Sequence, residues 1–175
     1  AAFDALEDEN SEAPQPGAEK ATVLLDLADA YGRLNNDNQV MASLSSAMAQ
    51  DPSNLAIHDR LATLYEAKKR WPDLVKVLSD KAERTETTEG KTTIYLQVAN
   101  LYLERFSNQA EAIKAFERVL ELDNQNEQAI NHLLAVYEKR RDWEKLIKLK
   151  EGEIERIPEG ERGPAVIEVA RMAAT

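Results

Sequence analysis

Few residues of this 175-residue sequence have the types and spacing that catalysis or metal binding would need. Its two histidines, His58 and His132, are 74 residues apart, and neither has a carboxylate at ligand spacing on the same helical face. The sequence has no cysteine, which excludes disulfides, thiolate metal ligands and cysteine nucleophiles. The serines of the segment MASLSSAM lack the flanking glycines of a nucleophile elbow. We therefore predict no enzyme, catalytic residue, metal site or cofactor, and we interpret both histidines as solvent-facing or interface residues.

Sequence motifs for binding nucleotides and calcium are also missing. The chain contains neither of the glycine-rich phosphate loops, G-x-G-x-x-G and G-x-x-x-x-G-K-[ST]. The acidic clusters EDE and ERTETTEG do not follow the residue order of a calcium-binding loop. We interpret both clusters as solvated surface.

The charge balance excludes two further classes of function. A net charge of −10, from 32 acidic and 22 basic residues, argues against nonspecific binding to nucleic acids or anionic membranes. No run of about 18 apolar residues is present, so no segment is predicted to span a bilayer. The first residues lack the basic and apolar regions of a signal peptide, which leaves the compartment undetermined with the cytoplasm favoured. Because the sequence starts without methionine, we expect it to be a fragment of a longer protein.

The elements that would position binding residues are indicated by a repeat. Four tyrosines separated by 34, 37 and 35 residues each close a similar phrase: LLDLADAY, HDRLATLY, LQVANLY and NHLLAVY. Two phrases that contain tryptophan, YEAKKRWPDLVKVL and YEKRRDWEKLIKLK, superpose at an offset of 72 residues. After each tyrosine, apolar residues recur with the spacing of one helical face. Since no segment alternates with the period of a strand, we predict about nine helices and no sheet. The four repeated tyrosines are Tyr31, Tyr65, Tyr102 and Tyr137.

This pattern resembles the tetratricopeptide repeat (TPR), a 34-residue helix–turn–helix unit with leucine, a small residue, tyrosine, alanine, an aromatic residue and proline at set positions. The resemblance implies an all-α fold, a right-handed superhelix (α-solenoid) of antiparallel helix pairs. It divides the chain into an acidic leader and linker at 1–20, four repeats at 21–54, 55–91, 92–126 and 127–160, and the first helix of a truncated fifth repeat at 161–175. The leader could be the remnant of the second helix of a preceding repeat.

Several positions of the repeat predict how its helices pack. Small side chains at Ala28, Ala62 and Ala99 are expected where two helices cross most closely. Leu134 replaces this small residue in the fourth repeat, so we expect looser packing there. The tyrosines are expected to anchor each first helix to its partner and to the next repeat. Trp71 and Trp143 are expected to be packing anchors at the start of second helices, and they are interpreted in that way rather than as ligand-stacking residues.

The resemblance also implies a binding groove, because the first helix of each TPR unit lines the concave face. Over all groove positions, five acidic and two basic residues predict a protein or peptide partner that is basic or polar with apolar anchors. The family's clamp for chaperone carboxyl termini is not predicted, since Leu25 and Asp29 occupy its first positions. The amides of Asn100 and Asn131 could hydrogen-bond a peptide backbone. The predicted groove residues are Leu25, Asp29, Arg33, Asp59, Thr63, Glu66, Leu96, Asn100, Leu103, Asn131 and Glu138.

The resulting hypothesis is a non-catalytic protein–protein interaction scaffold. One alternative is a regulatory segment of a larger enzyme whose catalytic domain lies outside this chain. A second is an RNA-processing helical-repeat protein, which the negative charge disfavours and which a salt-dependent RNA shift assay would test. The alternation of plain and tryptophan-bearing units resembles long tandem arrays in large bacterial scaffold proteins. Because apolar surface at the ends of such an array tends to associate, we also predict end-to-end self-association. The contact is either head-to-tail, through residues 1–9 and 161–175, or tail-to-tail through the last helix.

Overall fold

The described part of the chain is built from helices joined by short turns. A computed structural model describes residues 16–173, with side chains from Gly17 to Met172. These residues form nine α-helices and one short 3-10 turn, and they contain no strand, which confirms the predicted all-α class. Predictions for residues 1–15, 174 and 175 lie outside this part. The helices are α1 (Pro16–Arg33), α2 (Asp37–Gln50), α3 (Leu55–Ala67), α4 (Trp71–Arg84), α5 (Thr88–Glu104), α6 (Gln109–Leu122), α7 (Glu127–Arg140), α8 (Trp143–Ile154) and α9 (Gly163–Ala173), with the 3-10 turn at Glu159–Glu161.

The chain divides into two compact units, the first ending at Val77 and the second beginning at Leu78, within α4. In the first unit α2 packs against both α1 and α3. In the second unit, consecutive helices from α5 to α9 pack against one another. A Cβ atom placed on Gly17, at the start of α1, would lie 2.5 Å from the backbone oxygen of Gln50, at the end of α2. The two helices are therefore antiparallel, and their ends approach so closely that only glycine fits.

A residue with left-handed backbone conformation follows the first helix of each of the four pairs. These residues have φ angles between 50° and 57°, and none of them is glycine. The N–H of the next residue returns to the backbone carbonyl of the repeated tyrosine, as in a Schellman-type helix end. The backbone oxygen of the repeated tyrosine thus accepts the hydrogen bond that ends its helix. The left-handed residues are Asn35, Lys69, Ser107 and Arg141. The hydrogen bonds that follow them run from the N–H of Asn36 to the oxygen of Tyr31 (3.0 Å), from Arg70 to Tyr65 (2.8 Å), from Asn108 to Tyr102 (2.9 Å) and from Asp142 to Tyr137 (2.9 Å).

Polar side chains start most of the following helices. An N-cap side-chain oxygen accepts a hydrogen bond from the N–H three residues later, which satisfies a donor that the first turn leaves open. Trp71 and Trp143 are the first residues of α4 and α8, as predicted for second helices. The N-cap residues are Asn36, Thr87, Asn108, Asn126 and Asp142.

Two predicted boundaries differ from the helices. The prediction of a linker over 11–20 is wrong for its second half, because Pro16 and Gly17 open α1. Proline is tolerated at the first helical position, where its missing N–H would have no partner in any case. Residues 88–91 were expected to close the second repeat, but they form the first turn of α5, which begins after its cap at Thr87.

The column of small residues is only partly as expected. Ala28 and Ala99 are fully buried. In α3 the buried residue is instead Leu61, and Ala62 is half-buried, so the prediction for Ala62 is wrong. The backbones of α7 and α8 approach closely over a shorter length than those of α1 and α2 or of α5 and α6.

The last helix does not bury all the positions expected of it. Val169 is buried, whereas Val166 and Ala170, which were aligned with core columns, are exposed. Lys150 on α8 holds α9 through a 2.8 Å ion pair with Glu168. The side of α9 that carries Val166 and Ile167 has no covering helix among the described residues.

Candidate functional site

The predicted groove residues of the first unit lie on α1 and α3. These two helices are equivalent, because each is the first helix of its pair. We call Leu25, Asp29, Arg33, Asp59, Thr63 and Glu66 the first surface. Leu25 is half-buried and the other five side chains are exposed. All six are therefore accessible to a partner, although Asp29 and Thr63 already have contacts within the chain.

An ion pair that sequence reasoning missed crosses the first surface. Arg60 on α3 donates a hydrogen bond to Oδ1 of Asp29 on α1, and both side chains are largely exposed. The pair adds a positive charge to the surface and occupies one carboxylate that was expected to attract a basic partner. The sequence shows Arg60 directly after Asp59 but does not indicate which acidic residue it pairs with. The partner of Arg60, Asp29, lies 31 residues earlier.

A pocket of about 390 Å³ opens between α2 and α3, beside this ion pair. Its apolar wall comes from Val40 and Leu44 on α2 and from Leu64 and Ala67 on α3. The hydroxyl of Thr63 donates to the backbone oxygen of Asp59 at 2.9 Å, which leaves its methyl group as the part available to a ligand. The first surface therefore combines an apolar pocket with charged groups at its rim, which are Asp59 and Arg60.

The predicted groove residues of the second unit lie on α5 and α7. We call Leu96, Asn100, Leu103, Asn131 and Glu138 the second surface. Its two leucines and Asn100 are half-buried, and Asn131 and Glu138 are exposed. The side-chain oxygen of Asn100 accepts a 3.2 Å hydrogen bond from the Nε2 of Gln128, which links the two helices. One of the two amides expected to bind a peptide backbone is thus already engaged within the protein.

A polar cluster of three residues joins α6, α7 and α8. Glu117 Oε1 accepts hydrogen bonds from the Tyr137 hydroxyl at 2.7 Å and from Lys145 Nζ at 2.6 Å. Partial burial raises the pKa of Glu117, but the hydrogen bonds from Lys145 and Tyr137 outweigh it, so the net pKa lies below the ordinary value. Burial, and then the hydrogen bond to Glu117, raise the pKa of Tyr137.

The ammonium group of Lys145 also lies 5.5 Å from the centre of the Tyr137 ring, in the arrangement of a cation–π contact. The cluster borders a pocket of about 420 Å³ whose apolar floor includes Leu133 and Leu149. Sequence reasoning did not identify Glu117 or Lys145, because neither belongs to the repeated positions. We interpret the cluster as a structural link between consecutive pairs, since its three polar groups satisfy one another.

The two histidines have different surroundings. His58 is fully buried, with Nδ1 3.2 Å from the backbone oxygen of Asn54, so a solvent-facing position is wrong for it. His132 packs its ring against Phe116 with 4.4 Å between ring centroids, an interface position as expected. Among the described residues, no group of three or more acidic residues or histidines could hold a metal ion. Within the same part of the chain, no helix is long and apolar enough to cross a membrane.

Comparison with known proteins identifies the fold. No family model and no curated protein matches the chain. Among solved structures, the N-terminal domain of stress-induced protein-1 from C. elegans aligns with a TM-score of 0.50 and 16% identity, over 67% of this chain and 94% of that one. The first TPR of Spaghetti (RPAP3), bound to an HSP90 peptide, aligns with a TM-score of 0.42 and 22% identity, over 71% and 98%. A putative kinesin light chain from Podospora anserina with TPR-like repeats aligns with a TM-score of 0.45 and 18% identity, over 95% and 79%. The first of these is a TPR-repeat protein, and the chain has the TPR fold that its repeat pattern predicted.

Proposed function

We propose that this TPR-fold chain is a non-catalytic interaction scaffold, which binds an extended segment of a protein partner on its first surface. The observation that supports this most directly is the pocket between α2 and α3, because it brings an apolar wall next to Asp59 and Thr63. Both residues were selected from the sequence as groove positions. A pocket of about 390 Å³ has room for one large apolar side chain of the partner.

The charges of the first surface define the partner's chemistry. The first surface and the neighbouring Arg60 together carry three carboxylates and two guanidinium groups, which leaves a small negative excess; these are Asp29, Asp59 and Glu66, and Arg33 and Arg60. The carboxylates of Asp29, Asp59 and Glu66 are the acidic groups proposed to attract a lysine or arginine of the partner, and Asp29 also pairs with Arg60. We therefore propose a segment in which one apolar anchor is adjacent to a basic residue, with polar residues elsewhere.

The second surface is proposed to bind a partner segment through its leucines and amides. Leu96 and Leu103 are half-buried and offer apolar contact, and the amide of Asn131 is exposed for hydrogen bonding. Asn100 shares its oxygen with Gln128, so we expect it to hold the surface together rather than to grip a peptide backbone.

The test is a peptide array followed by solution binding. Twelve-residue peptides that vary one apolar position and the charge of its neighbours would be probed with the purified chain, and fluorescence anisotropy would measure the best binder. We expect Asp59→Lys with Glu66→Lys to abolish binding of apolar–basic peptides while helicity by circular dichroism stays unchanged. The control is Glu83→Lys with Glu86→Lys, which changes the net charge equally at two exposed positions of the second unit.

Three results are informative. Loss of binding in the first variant alone supports the proposed site. Equal loss in both variants would show a general charge effect and contradict the site. Failure of every array peptide to bind the unmodified chain would contradict the proposed partner chemistry.

A further inference from the structure

The outer side of α1 exposes apolar residues that a repeat array normally buries. Val23 is 67% exposed and Leu27 is 41% exposed. The two residues are four positions apart, so they lie on the same helical face. A pocket of about 550 Å³ borders this face at the start of α1, where Val23 and Leu24 form its apolar part. We call Val23, Leu24 and Leu27 the α1 face.

The same positions are buried in every later first helix of the four pairs. The spacing of the repeated tyrosines places the equivalents of Val23 and Leu27 34, 71 and 106 residues further along the chain. In α3 and α7 a preceding second helix covers them, since α2 packs against α3 and α6 packs against α7. The α1 face is thus a core position without its covering helix among the described residues. The equivalents and their exposed fractions are Ile57 1% and Leu61 0%, Ile94 7% and Val98 3%, and Ala129 0% and Leu133 1%.

We propose that residues 1–9 of the same chain dock on the α1 face. Their sequence AAFDALEDE places Phe3 and Leu6 three positions apart, preceded by Ala2. The helix that covers α7 has the same arrangement at Ala115, Phe116 and Val119, and all three of these side chains are buried. Phe116 makes its contact with α7 through the ring of His132. Phe3 and Leu6 repeat this pattern, seven residues further from Tyr31 than Phe116 and Val119 are from Tyr137, and by this similarity they supply the apolar contact that the α1 face lacks.

The connection and the charges agree with this occupant. The six residues 10–15 can span about 20 Å when extended, which exceeds what the four-residue turn 123–126 needs between α6 and α7. The segment is acidic, with Asp4, Glu7, Asp8 and Glu9, and the neighbouring pocket is lined by both Glu19 and Lys20. The carboxylates of a docked segment are therefore expected to lie toward the ammonium group of Lys20 and away from Glu19. This inference concerns a different side of the first unit from the first surface and does not rest on the proposed function.

Thiol labelling of the full chain tests the proposal, because the native sequence has no cysteine that would react. Leu27→Cys places a thiol on the α1 face, and Leu34→Cys is the matched control. Leu34 is exposed, and its equivalents Lys68, Arg105 and Arg140 are exposed too, so covering the α1 face should not protect it. We expect the Leu27→Cys thiol to react at least about tenfold more slowly than the Leu34→Cys thiol. Adding Phe3→Asp should remove this difference.

The dependence on protein concentration identifies the occupant. Protection that is independent of concentration and is lost with Phe3→Asp supports docking within one molecule. Protection that grows with concentration would assign the α1 face to a second copy, in line with the predicted end-to-end association, and would overturn the proposal. Rapid labelling of Leu27→Cys at every concentration, or protection that survives Phe3→Asp, would also overturn it.

Discussion

The hydroxyl of Tyr137 donates a 2.7 Å hydrogen bond to Oε1 of Glu117, which lies twenty residues earlier on the preceding helix. The equivalent tyrosine of the first unit, Tyr65, has its hydroxyl 3.4 Å from Oγ of Ser45, at the same separation. In both units the side chain connects a first helix to the second helix before it. The tyrosines were expected to reach their partner helix and the next repeat, so these two contacts revise the direction of the link.

Removing the acceptor of this hydrogen bond should destabilise the second unit. Glu117→Ala leaves the largely buried Tyr137 hydroxyl and the Lys145 ammonium group without their partner, at an expected cost of about 1–3 kcal/mol in the free energy of unfolding. The control is Glu121→Ala, which breaks an exposed ion pair with Arg118 and should change stability by less than about 0.5 kcal/mol. Denaturant unfolding measures both; a cost for Glu117→Ala no greater than the control would contradict the role of the cluster.

His132 should make stability depend on pH below neutrality. Burial lowers its pKa from the ordinary 6.5, and its Nε2 is buried without a hydrogen-bond partner. Protonation is therefore disfavoured in the folded state, so the contribution of His132 is complete above pH 6.5 and is lost as the pH falls through the lowered pKa. We expect His132→Leu to lose less stability than the unmodified chain between pH 7 and pH 5. Thermal melts at the two pH values check this, and equal losses would contradict it.

The small residues of the first helices should differ in their tolerance of a larger side chain. Ala99→Leu places a leucine at a fully buried position and should cost about 1–3 kcal/mol through overpacking. The same change at Ala62 should stay within about 0.5 kcal/mol, because this position is only half-buried and the larger side chain can extend toward solvent. Urea unfolding of the two variants would distinguish these positions, and a larger cost at Ala62 would restore the original prediction.

Glycine should stabilise the turn between α7 and α8. Arg141 has a φ of 56°, a left-handed conformation that costs a side-chain-bearing residue about 1–2 kcal/mol. Arg141→Gly removes that cost, and because glycine also loses more entropy on folding, we expect a net gain of about 0.5–1 kcal/mol. Arg140→Gly, one residue earlier at the end of α7, should instead destabilise by up to about 1 kcal/mol. Opposite shifts in melting temperature would verify the turn; a loss of stability for Arg141→Gly would contradict it.

The helices of this fold could be predicted because tyrosine spacing and apolar periodicity both report local structure. Periodicity does not decide which of two adjacent apolar residues faces the core. The pairs Leu27–Ala28 and Leu61–Ala62 have the same pattern, yet Ala28 is buried in one and Leu61 in the other. The rotation of a helix about its axis depends on the helices that pack against it, and within residues 16–173 no helix covers α1 in the way that α2 covers α3.

The candidate site was predictable only as a set of exposed positions. An alignment of repeats compares equivalent positions, whereas Asp29 and Arg60 are the ninth and sixth residues of their predicted repeats. Their ion pair, like that of Glu117 with Lys145, joins positions that the alignment keeps apart. For this reason the sequence gives the number of charged residues on the first surface, but it does not show which of them form ion pairs.

The close packing of successive helices has a consequence for how the protein is made. Arg60 pairs with an aspartate 31 residues earlier, and Arg156 donates to the backbone oxygen of Asn124, 32 residues earlier. Each of these contacts can form as soon as one further repeat has left the ribosome, without waiting for distant parts of the chain. Synthesis can therefore add finished pairs one after another, and a pulling force on the two ends should release them in steps rather than all at once.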